Sequence, residues 1–427
     1  METALAILIL TYLLISVRFI PLVRMGRASA AMLGASLIVA TGVLAFGDAL
    51  RSIDLDVLFL LLGMMLLVSS LQSCGLFDII CGWMVKVSTT PLTFFMLVCI
   101  VSAVLSALVL NDAVVLLLTP VIIESCYRLG IKPFPYLMGH VMSANIGSLA
   151  TVVGNPQNAF IATRADIGFI EFSSRLLPVA SVSMILMMVV LIIIFRQDIL
   201  INGFNKPSNP SSMITLKDGE KRDSLRCFGT IGRLDNLKIL LIITSMTVLA
   251  FAFSQSLGLP LAHIAFLSGA IAAIVTVLIT DVRVSEINSG VNWSIILFFI
   301  GLFVVIGGAS SSGLLSNLET SLMVFSGQDA DSPILLFISA ALLSNLVSNV
   351  PAVLLIAELL PVSGDAWFHL AAASTLAGNA TLIASAVNII MAERAERMGV
   401  EIDFLKFMAV GLPISIITLT FAFILMI

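Results

Sequence analysis

Asn111 and Asp112 stand side by side inside one apolar stretch, and Asn349 stands inside another. Residues 105–117 read LSALVLNDAVVLL and residues 343–355 read LSNLVSNVPAVLL. At an offset of 238 residues, eight of these thirteen positions coincide, Asn111 with Asn349 among them. A carboxamide both donates and accepts, so either asparagine can meet an anion or a small cation. It can also simply cap a helix end. Asp112 is the sharpest residue of the group. A carboxylate at bilayer depth costs about 2.5–3.5 kcal/mol on insertion scales, so such a residue is normally functional. A proton or a sodium ion on Asp112, or sodium shared with Asn111 and Asn349, would couple ion movement to a solute. The counterpart of Asp112 is Val350, so the charge belongs to one half alone.

Two polar strings follow the two stretches. Ser143–Asn158 reads SANIGSLATVVGNPQN and offers Asn145, Gly147, Ser148, Thr151, Asn155 and Asn158. The second, STLAGNATLIASAVN from Ser374, offers Thr375, Thr381 and Asn388. Ala150, Thr151 and Asn158 match Ala380, Thr381 and Asn388 at an offset near 230. Glycine allows close backbone approach, and Pro156 removes a donor and breaks a helix. These side chains, with Asn111 and Asn349, are expected to line a solute site. Helix packing by small polar residues is the plainer alternative for any one of them. His140, just before the first string, could relay protons, although packing is again plainer.

Such residues need helices that carry them into a membrane. Of 427 residues, 59% are hydrophobic and 11% charged, against about 25% charged in soluble domains. Spanning segments are expected near 3–23, 29–47, 55–74, 135–162, 175–196, 237–256, 262–281, 292–312, 366–392 and 407–427. The N-terminal run has no basic region before it and reads as a retained first helix. Two longer blocks, 91–128 and 332–361, are broken by polar residues and read as re-entrant helical hairpins. The division is a first repeat over 1–196, a polar cytoplasmic linker over 197–236 and a second repeat over 237–427.

Charge placement supports that count. If the hairpins do not cross, Arg24, Arg27, Lys86, Arg128, Lys132, Arg283, Arg394, Arg397, Lys406 and the linker cations share one side. Arg51, Arg164 and Arg175 fall on the other. The positive-inside rule then makes the first side cytoplasmic and puts both termini outside. Five crossings per half is odd, so the repeats must be inverted. Inverted repeats place the site at mid-membrane between them. The fold class is thus an all-α polytopic membrane protein of two inverted repeats, each with five transmembrane helices, a re-entrant hairpin and an interrupted helix.

The strings NDAVVLLLTP at 111–120, SANIGSLATVVGNPQN at 143–158 and SNLVSNVPAVLL at 344–355 resemble the ion transporter superfamily. Its members include ArsB-type arsenite and antimonite permeases, NhaD-type sodium/proton antiporters and the divalent anion:sodium symporters with their citrate carriers. The likeness covers nearly the whole chain outside the linker. It implies inverted repeats with hairpins and unwound helices, and a homodimer working by an elevator movement. The Asn111-Asp112 tip looks like that of ArsB permeases. Residues 154–158 correspond to the Gly-Thr-Pro-Pro-Asn string of dicarboxylate carriers. The Ser-Asn-Thr tips of those carriers are replaced by Asn-Asp-Ala and Asn-Val-Pro.

The expected function is secondary active transport of a small anion or oxyanion across the cell membrane, coupled to H+ or Na+. Rival expectations are arsenite/antimonite efflux, sodium/proton antiport and, from another class, an anion channel. No enzyme is expected, since GxxxxGK[ST], HExxH and GxSxG are absent. No cofactor and no nucleic-acid partner is expected either. The five cysteines have no metal-binding spacing.

Overall fold

The computed structural model describes residues 1–16, 26–201, 203–204, 234–314, 333–361 and 364–427, and everything among them that is regular is helical. Most of the expected linker, with Arg24 and the basic residues of 205–233, lies outside the described residues.

The first half opens with α1 (Glu2–Ser16), α2 (Arg27–Ala40), a short α3 (Phe46–Arg51), α4 (Leu55–Ser73) and α5 (Leu76–Val87). Then come α6 (Pro91–Leu108), α7 (Asn111–Leu129), α8 (Pro133–Ser148), α9 (Pro156–Arg164) and α10 (Phe169–Ile194). After α11 (Leu234–Ala252) come two-turn or shorter α12 (Ser254–Leu257), α13 (Leu261–Ile279), short α14 (Val284–Ser289) and α15 (Trp293–Ser311). The chain ends with α16 (Pro333–Val347), α17 (Asn349–Ala357), α18 (Ala366–Ala377), α19 (Ala386–Arg397) and α20 (Phe404–Met426).

Each expected span contains a helix, and each expected break falls between two. The block 91–128 is α6 and α7, joined through extended Val109 and Leu110. The block 332–361 is α16 and α17, joined through Ser348, whose φ of 83° is rare outside glycine. The spans 135–162 and 366–392 are the broken pairs α8/α9 and α18/α19. Pro156 sits at the start of α9, where its missing N–H costs nothing, and Asn155 caps that helix by accepting from the Asn158 N–H at 2.8 Å. Helix α5 was not expected. It is too short to cross a bilayer, and its Trp83 is exposed while Phe77, Cys81 and Met84 are buried. That is the pattern of a helix lying along an interface.

Among the described residues, α4, α6, α10, α13, α15 and α20 are long and apolar enough to cross a membrane. Their outer faces carry large apolar side chains, such as Ile193 at 65% and Leu278 at 77% exposure. Water would not tolerate such a belt, whereas lipid favours it. Since α6 is itself long enough to cross, length alone does not separate a re-entrant hairpin from a spanning one.

The halves meet most closely at α4 and α13. A Cβ on Gly63 would run into the Ala265 backbone, and one on Gly269 into the Gly63 carbonyl. The two backbones therefore touch, the small-residue packing that substitutes for a hydrophobic drive inside lipid.

Candidate functional site

The two tips are anchored in the same way. The Asn111 N–H donates to the Gly154 carbonyl at 2.9 Å, and the Asn349 N–H to the Ala384 carbonyl at 3.2 Å. Each bond ties a hairpin tip to the break of the interrupted helix in its own half. The breaks are clamped alike. Asn158 Nδ2 donates to the carbonyls of Ser148 and Thr151, both at 3.0 Å. Asn388 Nδ2 donates to those of Gly378 and Thr381, at 2.7 and 2.8 Å. These are carbonyls released where α8 and α18 unwind. A buried amide thus replaces the lost helical bonds, which at membrane depth must be found within the protein.

The remaining sequence candidates divide by what they touch. Thr151 Oγ1 donates to the Ala107 carbonyl at 2.5 Å, and Thr381 Oγ1 to Asn345 Oδ1 at 3.5 Å, so both hold a break against its hairpin. Gly147 is a contact glycine, since a Cβ there would meet the Ala103 backbone of α6. Ser148 Oγ accepts from Asn155 Nδ2 at 2.8 Å and from Asn111 Nδ2 at 3.4 Å. Asn111 Oδ1 is buried and has no hydrogen-bond partner. With its nitrogen facing inward, the Asn349 amide donates to the carbonyls of Ser374 and Ala384 at 3.1 and 2.9 Å.

The breaks also meet each other. Asn145 Nδ2 donates to Asn379 Oδ1 at 2.9 Å and Asn388 Oδ1 at 3.0 Å, and its Oδ1 accepts from Ser385 Oγ at 3.2 Å. Gln157 Nε2 reaches Thr375 Oγ1 at 3.5 Å. One polar network therefore crosses the boundary between halves.

Beside it opens a cavity of about 230 Å³. Asp112 and Ala113 of α7 form one wall. Gln72 of α4, Asn292 before α15, and Glu393, Arg394 and Arg397 of α19 form others. Among the described residues, Asp112 is the one sequence candidate that lines this cavity. Asn111, Asn145, Asn155, Asn158, Asn349 and Asn388 are buried and do not line it. Sequence reasoning missed Arg394 and Arg397, which read as loop cations. Their spacing of three at the end of the second interrupted span was the available signal, since it puts both on one helix face.

Other polar residues lie elsewhere. His140 Nδ1 is 2.6 Å from Ser102 Oγ, between α8 and α6 and away from the cavity wall. Glu124 pairs with Arg128 one turn along α7, and Glu358 with Arg164 at 3.7 Å. Among the described residues, no cluster of His, Cys, Asp and Glu could hold a metal ion.

Comparison with known proteins decides the class. A family model described as "Citrate transporter" matches residues 7–377. The chain belongs to this family. A 46 kDa membrane protein of Mycobacterium leprae is 29% identical over 98% of this chain and 96% of the relative. The silicon efflux transporter LSI3 of Oryza sativa subsp. japonica is 29% identical over 94% of this chain and 92% of the relative. The crystal structure of the YdaH transporter of Alcanivorax borkumensis has the same overall fold. Its TM-score is 0.58 at 14% identity, covering 100% of this chain and 96% of that one. The citrate transporter family member described here is an integral membrane transporter, not an enzyme.

Proposed function

We propose that this protein is a secondary active transporter of a small anion or oxyanion, driven by H+ or Na+. One observation carries the reading: the cavity joins the Asp112 carboxylate of the first half to Arg394 and Arg397 of the second. A carboxylate at this depth can take a proton or a sodium ion, and arginine draws an anion inward. Helices α7, α9, α17 and α19 all begin at a tip or a break, so their positive ends add to the attraction.

In this reading the halves are inverted repeats with re-entrant hairpins. The matching amide clamps at Asn158 and Asn388 support the repeat. The central linker faces the cytoplasm and the termini face outward. The hairpins and broken helices move together against a frame built on α4 and α13, exposing the site to alternate sides.

The test is uptake into proteoliposomes under an imposed pH or sodium gradient, with labelled citrate, phosphate and arsenate. Accumulation that follows one gradient supports the proposal. Flux that equilibrates every anion without accumulating it would instead mark a channel.

A second reading is efflux of an uncharged oxyacid such as silicic or arsenious acid. The silicon-exporting relative supports it, as does the wealth of amides and hydroxyls beside the cavity. Silicic acid exchange with no response to the three anions would favour it.

A further inference from the structure

The cavity is one-sided, although the sequence repeat gives each of its walls a counterpart. Met65, Ala113 and Leu116 line it from the first half, Ile390 and Arg394 from the second. At the offset of 238 residues, Met65, Ala113 and Leu116 correspond to Phe303, Pro351 and Leu354. At the offset of 230 residues that pairs Asn158 with Asn388, Phe160 and Arg164 correspond to Ile390 and Arg394.

The counterparts are packed instead. Ala113, Leu116 and Ile390 are partly exposed, whereas Pro351, Leu354 and Phe160 are buried. Phe160 of α9 lies against Phe303 of α15 with ring centroids 5.9 Å apart, and Phe303 lies against Phe299 at 5.8 Å. The Tyr12 hydroxyl of α1 donates to the Pro351 carbonyl of α17 at 3.0 Å. A ring pair and a buried hydrogen bond thus fill the place that is open between Met65, Ala113 and Ile390. Each joins a tip or a broken helix to a helix that is neither. Arg164 stands where Arg394 stands and pairs with Glu358 at 3.7 Å, so this second mouth carries a cation as well.

We propose that the protein has a second solute entrance, the twin of the cavity on the opposite face, closed in this structure by Phe160 against Phe303 and by Tyr12 against Pro351. This rests on the reading of the halves as inverted repeats, which sets the twin on the other side of the membrane. The entrance opens when Phe160 leaves Phe303 and Pro351 leaves Tyr12. The same shift carries Ile390 toward Met65, because one moving group meets one frame at both places. Parting one pair therefore presses the other together, and a close-packed interior favours the two end states over any mixture.

The experiment labels cysteines from either face of sealed vesicles with a membrane-impermeant maleimide, in full-length protein whose own five cysteines are replaced. Arg164→Cys and Arg397→Cys report the two faces and should be labelled from opposite ones. Phe160→Cys should be labelled from the Arg164 face, and slowly. In the same chain, Met65→Cys and Ile390→Cys are then oxidised to a disulfide with copper phenanthroline, which locks the cavity side shut. A minor state holds about 0.1–10% of molecules, so locking it should speed labelling of Phe160→Cys by about 10-fold or more. Reduction should restore the slow rate. Markers labelled from one face overturn the inverted-repeat reading and the second entrance with it. With the markers on opposite faces, three results overturn the second entrance alone: no disulfide, a disulfide that leaves the Phe160→Cys rate unchanged, or labelling of Phe160→Cys from the Arg397 face. Should Phe160→Cys fail to fold, Phe303→Cys takes its place with the same outcomes.

Discussion

Asn145 and Asn379 are 234 residues apart in sequence, yet the amide nitrogen of one donates to the amide oxygen of the other at 2.9 Å. Asn145 also binds Asn388 and Ser385, so one side chain ties the first break to the second. Polar bonds between membrane helices are worth about 0.6–1.7 kcal/mol by double-mutant cycles. Asn145→Ala and Asn379→Ala should each lower the unfolding temperature. Together they should lose less than the sum, by roughly the same 0.6–1.7 kcal/mol. Strict additivity in the unfolding cycle would show that the bond contributes nothing.

Asp112 should separate coupling from binding. Its carboxylate lines the cavity at 8% exposure, whereas the equivalent Val350 has no charge to offer. Asp112→Asn keeps the size and hydrogen-bonding capacity while removing the titratable charge. Gradient-driven accumulation in proteoliposomes should fall to the level of passive exchange, with exchange itself preserved. Full accumulation by the variant would remove Asp112 from the coupling step.

Much of this was legible in the sequence, for a physical reason. Lipid forces long apolar runs, so a polar residue inside one stands out. That exposed the two tips, Asp112 and the two broken helices. Pro156 and Gly154 marked the first break directly, and the second followed by its spacing. What the sequence concealed depends on which sides of different helices face each other. Nothing in the string says that Asn145 finds Asn379, or that Gly147 packs on Ala103. Arg27, Arg394 and Arg397 look like any cations at the end of a span. Their meeting with Ser348 and with the Asp112 cavity exists only once the halves close on each other. Helix α5 escaped because a short amphipathic segment between two apolar runs reads as loop.

Ser348 should be a strained residue held by its neighbours. Its φ of 83° and ψ of 159° fall in a region that side chains avoid. Such backbone costs about 1–3 kcal/mol and persists where surrounding contacts enforce it. Two substitutions isolate the strain. Ser348→Ala and Ser348→Gly both delete the acceptor of the Arg27 bond, but only glycine relaxes the backbone. The glycine variant should therefore unfold at a higher temperature than the alanine variant, by about 1 kcal/mol or more in stability. Equal unfolding temperatures would mean that the tip is not strained.

Arg394 and Arg397 should act on capture of the solute. They line the cavity together with Asp112 of the first tip, on the side that the proposed orientation makes cytoplasmic. Charges at such a mouth raise the local concentration of an anion, and salt screens them over about 8 Å at physiological strength. Replacing both with Gln should raise KM for an anion presented from that side, with a smaller change in kcat. The variant should also lose most of the salt dependence that wild type shows. Proteoliposomes of defined orientation, assayed across a series of ionic strengths, provide the comparison. A KM unchanged by the double substitution, or a salt dependence as steep as that of wild type, would place these arginines outside the route of the solute.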